Sequence, residues 1–177
     1  MGLTIHYQGQ LESEQAYGSF IAEVTAFAEA RGWPVHSIVE GERELTRMLQ
    51  PEDPEAAEYE DTYVGPTRGV YLLPHLECEP LSFEFDTDLF MQDFCKTQFA
   101  GPAVHTAILD LFRQTEPLFE MLDIQDEAEG WENPDPVHLE RIFVETRQAI
   151  EESAAEMPGS SVAVLTPSGR ILDILGE

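Results

Sequence analysis

Two rhythms of hydrophobic and polar positions run through this chain. Leu81, Phe83 and Phe85 alternate with Ser82, Glu84 and Asp86, the period of a strand with one buried face. Leu3-Thr4-Ile5-His6-Tyr7 opens the chain as another strand. Between these, Tyr17, Phe20, Ile21, Val24, Phe27 and Ala28 recur at helical spacing and form one apolar face. Ser13 suits the cap at the start of that helix, which runs to about Ala30, and Gly32 suits its stop. Trp33-Pro34 then turns the chain into a strand around Val35 to Val39. The stretch 51–61, PEDPEAAEYED, is acidic, carries two prolines and offers little apolar area, so it is expected to be a mobile loop.

Beyond that loop, Gly69 to Leu73 forms a strand, and Pro74-His75 breaks it before the strand at Leu81. Phe94 to Ala100 is expected as a loop, and Gly101-Pro102 opens a helix with Val104, Ala107, Ile108, Leu111 and Phe112 on its buried stripe. Phe119 to Gln125 is a strand, and the prolines at 134 and 136 precede a helix over about Val137 to Glu156. Its apolar positions are Leu139, Ile142, Phe143 and Ile150. Val162 to Leu165 and Ile171 to Leu175 flank Thr166-Pro167-Ser168-Gly169-Arg170, a hairpin signal. The order β-α-β-β-β-α-β-α-β-β predicts an α+β fold: a largely antiparallel sheet, helices packed on one face, and a C-terminal β-hairpin. With 177 residues, 1–177 is expected to be a single domain.

Composition changes the picture mainly through charge. There are 35 acidic residues against 9 basic ones, a formal net charge of −26, and Lys96 is the one lysine. A phosphate-binding face needs clustered Lys and Arg, so nucleic acid is not an expected partner. Anionic membrane surfaces are disfavoured for the same reason. The acidity fits an acidic soluble surface first, then a face for a basic partner, then a nucleic-acid mimic. The N-terminus shows no basic segment followed by an apolar run, and His6 stands where a myristoylation signal needs Ser or Thr. Two cysteines are too few for a disulfide scaffold, so free thiols and a cytoplasmic location are expected.

Candidate chemistry gathers between Leu81 and Trp131. Two strand ends, a loop and a helix start are positioned to bring together Lys96, Gln98, His105, Asp126 and Glu127 as a polar, ligand-binding pocket. Lys96, flanked by Phe94-Cys95 and Phe99, is partly desolvated in this reading and is expected to pair with Asp126 or Glu127. His105 beside Asp86, Asp126 and Glu127 has the composition of a general-base or hard-metal cluster. A boundary histidine bonded to a carboxylate explains it as well. His75-x-x-Cys78, with Cys95 and His105, has the residue types of a zinc site, although one close pair is weak support beside small buried cysteines. No Gly-x-Ser-x-Gly elbow, phosphate loop or His-Glu-x-x-His helix occurs, and no motif specifies a cofactor.

Phe94-Cys95-Lys96-Thr97-Gln98-Phe99-Ala100, then His105, then Asp126-Glu127 with Trp131-Glu132, resembles a family of uncharacterised bacterial proteins. In that family a Lys-Thr-Gln-(Tyr/Phe)-Ala segment precedes a helix, and an acidic Asp-Glu-Gly turn ends in an aromatic pair and an acid. The likeness covers about Gly69 to Glu132; here the turn reads Asp126-Glu127-Ala128-Glu129-Gly130-Trp131, with the glycine displaced and one aromatic absent. It implies where a site lies and no activity. The expectation is therefore a small acidic binding or interaction module, taking a small molecule or a basic protein. The alternative is a hydrolase-like enzyme using His105 and acidic residues, with or without a metal.

Overall fold

The opening strand is longer than its apolar start suggests. In the structure, a computed structural model that describes residues 2–51, 55–157 and 159–175, β1 spans Thr4–Leu11. Ile5, Tyr7 and Leu11 are buried while His6 is exposed and Gln8 and Gln10 are half-buried, so one face of β1 belongs to the core. It is the central strand of a three-stranded sheet, flanked by β5 (Phe90–Lys96) and β6 (Phe119–Asp126). A second sheet has the order β2 (Val35–Leu49), β3 (Tyr59–Leu72), β4 (Leu81–Phe85). A hairpin, β7 (Ser161–Leu165) with β8 (Ile171–Leu175), ends the described chain. All paired strands are antiparallel. This is the expected α+β fold.

Two helices close the core. In α1 (Glu14–Arg31) the Ser13 hydroxyl accepts the Ala16 amide at 3.1 Å, and Gly32 ends the helix in the left-handed region at φ 69°. α2 (Pro102–Thr115) starts with a proline that needs no amide partner there. Phe20 of α1 meets Phe83, Phe85 and Phe119 edge-on at 5.1–5.4 Å, and Phe112 of α2 meets Tyr7 at 5.0 Å. Rings at this spacing gain beyond their buried area. The third helix, α3 (Pro136–Ala155), packs Leu139 and Phe143 against Leu3 and Ala128 in a smaller cluster.

Three sequence expectations need correction. Phe94, Cys95 and Lys96, expected at the start of a loop running to Ala100, belong to strand β5. By parity Asp93 shares the face of buried Met91 and Cys95, and Phe94 points outward, so the apolar alternation that marks a strand is broken there. Strands β2 and β3 run far past the expected Val35–Val39 and Gly69–Leu73, pairing as a long ribbon from Gly41↔Thr67 to Leu49↔Tyr59. The acidic loop is correspondingly shorter: Tyr59, Glu60 and Asp61 belong to β3, and residues 52–54, where mobility was expected, lie outside the described residues.

The ribbon sets up the site. Its far end reaches the outer face of the β5-β1-β6 sheet, where the Met48 amide donates to Gln92 Oε1 at 2.8 Å and Gln92 Nε2 donates to the Met48 carbonyl at 2.6 Å. Arg47 pins it, with Nη1 2.7 Å from Asp86 Oδ2 and its guanidinium 4.9 and 4.8 Å from the Tyr63 and Phe90 rings. Its other Nη is buried with no hydrogen-bond partner among the described residues, and the two ring faces lie against the guanidinium.

Candidate functional site

Four of the residues singled out from the sequence, Gln98, His105, Asp126 and Glu127, lie together around the first residues of β1. The amide of Leu3 donates to Gln98 Oε1 at 2.7 Å, and that of Thr4 donates to Glu127 Oε2 at 2.8 Å. His105 is fully buried, its Nδ1 2.7 Å from the Thr97 hydroxyl and its Nε2 3.1 Å from Asp126. Asp126 also accepts the amides of Ala128 and Trp131 at 2.9 and 3.1 Å. Burial pushes its carboxyl upward, but the His105 contact and these amides hold it, on balance, below the ordinary carboxylate range. Gln98, His105, Asp126 and Glu127 thus tie β1 to α2 and β6. Every polar group of His105 is committed and its ring meets no solvent.

Lys96 does not pair with the 126–127 turn. Its Nζ donates to Asp173 Oδ1 at 2.9 Å and to the Ile171 carbonyl at 3.0 Å, both on β8, and Gln98 Nε2 also donates to Asp173. The side chain leaves the sheet edge toward the C-terminal hairpin, a neighbour 75 residues away that sequence spacing does not announce. The buried Glu79 reinforces this joint: it accepts the Lys96 amide at 3.0 Å and the Ile171 amide at 2.8 Å, with Arg170 Nη1 at 3.3 Å.

The zinc-type residues have other contacts. Cys78 and Cys95 are buried with their sulfurs 3.6 Å apart. The hydrogen bond from Cys78 and then burial push the Cys95 thiol well up, which keeps it protonated and unreactive. His75 is exposed and accepts the Glu77 amide through Nδ1 at 3.1 Å, while His105 is engaged as above. Among the described residues no group of three or more His, Cys, Asp or Glu is arranged to hold a metal.

An open site lies on the other side of the same sheet. A cleft of about 770 Å³ is bounded by the outer face of β5-β1-β6, the end of the β2-β3 ribbon and Arg170. Its floor follows from the register: Gln8 stands opposite Gln92 on β5 and Asp123 on β6. Gln92 Nε2 donates to Gln8 Oε1 at 2.9 Å, and Gln8 Nε2 donates to Asp123 Oδ2 at 3.1 Å, so a hydrogen-bonded row crosses three strands. The next row is Phe94, His6 and Gln125.

At one end Arg170 lies 3.9 Å over the Phe94 ring, donates to the Phe94 carbonyl at 2.9 Å and meets Asp93 Oδ1 at 2.6 Å. Burial lifts the Asp93 carboxyl above its ordinary range in spite of Arg170. Burial also opposes the guanidinium charge, yet the Asp93 contact more than restores it, so at neutral pH the contact is an ion pair.

Gln8, Gln92, Asp123, Gln125 and Arg170 were not candidates from the sequence. The signal that finds part of the set is the continued alternation Ile5-His6-Tyr7-Gln8-Gly9-Gln10-Leu11, which places polar side chains on an outer face. Comparison with protein-family models, curated proteins and solved structures finds no match to this chain.

Proposed function

We propose that this protein is a binding module that holds a small polar molecule in the cleft over the outer face of β5-β1-β6. The observation that supports it is the hydrogen-bonded row Gln92–Gln8–Asp123 on the floor of a cavity of about 770 Å³, a volume suited to a small ligand. Both Gln92 Nε2 hydrogens are taken by Gln8 and the Met48 carbonyl, so the floor meets a polar solute through the second Gln8 Nε2 hydrogen and the Asp123 carboxylate. The floor stands on a rigid sheet whose opposite face is the aromatic core, so the binding groups are held in place. A hydrolase using His105 gains nothing from this geometry, because the ring touches no solvent and both nitrogens are bonded within the fold.

The test is ligand-observed NMR with mixtures of small polar molecules, run on the wild type and on Gln8→Trp, which fills the cleft from its floor. Binders to the wild type that are lost in a Gln8→Trp protein of unchanged melting temperature support the reading. Absence of any binder, or binding that survives the substitution, overturns it.

A further inference from the structure

We infer that the cleft selects an organic cation, with Asp123 as the counter-ion of an alkylammonium or guanidinium group; this rests on the binding reading above. Among the described residues the cleft lining holds charges already matched and two carboxylates with no cationic partner, Glu58, exposed just before β3, and Asp123 on the floor. Arg47 is matched by Asp86 at 2.7 Å, Arg170 by Asp93 at 2.6 Å, and Glu84 by Arg43 at 2.9 Å. Asp123 is half-buried on the floor, and among the described residues no Lys, Arg or His nitrogen is paired with it. Its neighbours are neutral amides: Gln8 at 3.1 Å and Gln125 at 3.4 Å. Amide donors turn toward a carboxylate without neutralising it, and an ammonium placed there exchanges neutral for charge-assisted bonds.

The other end of the cleft shows how this surface treats a cation. There the chain's own Arg170 fills the place, with a carboxylate at 2.6 Å, a backbone carbonyl at 2.9 Å and an aromatic face at 3.9 Å. The Asp123 end offers a carboxylate, the Gln125 and Gln8 amides and the His6 ring beside them, without an occupant among the described residues. A chain of net charge −26 also concentrates cations around itself and repels anionic solutes, so an acid or phosphate ligand is disfavoured throughout. Gln8, whose Nε2 keeps one hydrogen beyond its bond to Asp123, then takes the polar remainder of the ligand. A free amine and a lysine side chain from a peptide share this chemistry, and the experiment separates them.

The probes are 1,4-diaminobutane, 1,4-butanediol, succinate and a capped Gly-Lys-Gly peptide, each titrated by NMR into the full chain at physiological salt. Side-chain amide signals of Gln8, Gln92 and Gln125 report the cleft. The diamine is expected to shift them saturably, with about a tenfold loss of affinity in Asp123→Asn and a gain in Gln125→Glu, as charge-assisted bonds require. The diol and succinate are expected to leave them unmoved. Glu152→Gln, a remote exposed position, is expected to leave the affinity unchanged and so separates a site from general attraction to an acidic surface. A peptide that matches the diamine assigns the cation to a partner's lysine, and a weaker peptide assigns it to a free amine; both sustain the cation class. Shifts spread over the surface and insensitive to Asp123→Asn overturn the inference. Cleft signals that move with the diol or succinate rather than the diamine overturn the cation class while leaving the binding reading intact.

Discussion

His105 and Asp126 sit with no side-chain exposure, each bonded twice or more, and this decides what a substitution there costs. Removing one member strands the other in the core, so His105→Ala is expected to lower unfolding free energy by roughly 3–5 kcal/mol in urea titrations. The pair also shapes the acid limb of stability. A folded-state carboxyl held below its unfolded value contributes stability that is present above the unfolded value, near about 3.9 for Asp, and is lost as pH falls through the lower folded one. Stability measured below pH of about 4 is therefore expected to fall less steeply in Asp126→Asn than in the wild type. An equal slope in both proteins would show that the carboxyl is not held down. Lys96 illustrates a weaker interaction. Its pair with Asp173 keeps about a fifth of each side chain in solvent, 18% and 24%, so a coupling of roughly 1 kcal/mol is expected in a double-mutant cycle of Lys96→Met with Asp173→Asn. The same cycle with Asp126→Asn is expected to give none.

At the scale of elements, the C-terminal hairpin and the long ribbon are both held to the sheet by polar joints. Glu79, 1% exposed, collects the Lys96 amide, the Ile171 amide and Arg170 at a single carboxylate. Glu79→Ala leaves the Lys96 and Ile171 amides unmatched, and hydrogen exchange in β7 and β8 is expected to rise while β1, β5 and β6 stay protected. Uniform loss of protection instead would mean that the hairpin unfolds only with the core. The β3-β4 pairing depends on Gly69, whose φ of 152° is rarely adopted by a side-chain-bearing residue and whose added Cβ would fall onto the Phe83 carbonyl oxygen. Gly69→Ala is expected to cost about 2–4 kcal/mol, well above an ordinary surface change, read from the urea midpoint.

For the whole molecule, net charge is the dominant long-range term. Like charges on a chain of −26 repel across distances comparable to the roughly 10 Å screening length at 0.1 M salt. Melting temperature is expected to rise with sodium chloride between low and moderate concentration, with no ligand present. A flat response would mean that the surface acids are already matched or too far apart to interact. No helix among the described residues is long and apolar enough to cross a membrane.

The sequence by itself determined the helices, the inner faces of most strands and the closing hairpin, because each is written in local periodicity and caps: Ser13 and Gly32 around α1, Phe83 and Phe85 in β4, Thr166 to Arg170 between β7 and β8. It also brought Gln98, His105, Asp126 and Glu127 to one region, since three successive elements lead there. Only the tertiary structure decided what those residues do. Whether His105 faces a cleft or a core depends on α3, whose Phe143 ring closes over it at 5.4 Å from the far end of the sequence. The same holds for Lys96, answered by Asp173, and for Asp93, an inward acid that makes β5 look unlike a strand until Arg170 meets it. The cleft floor is a property of register: Gln92, Gln8 and Asp123 become neighbours only when three strands align. Local pattern fixes which face of a strand is apolar, whereas long-range pairing fixes which polar side chains on the other face stand side by side.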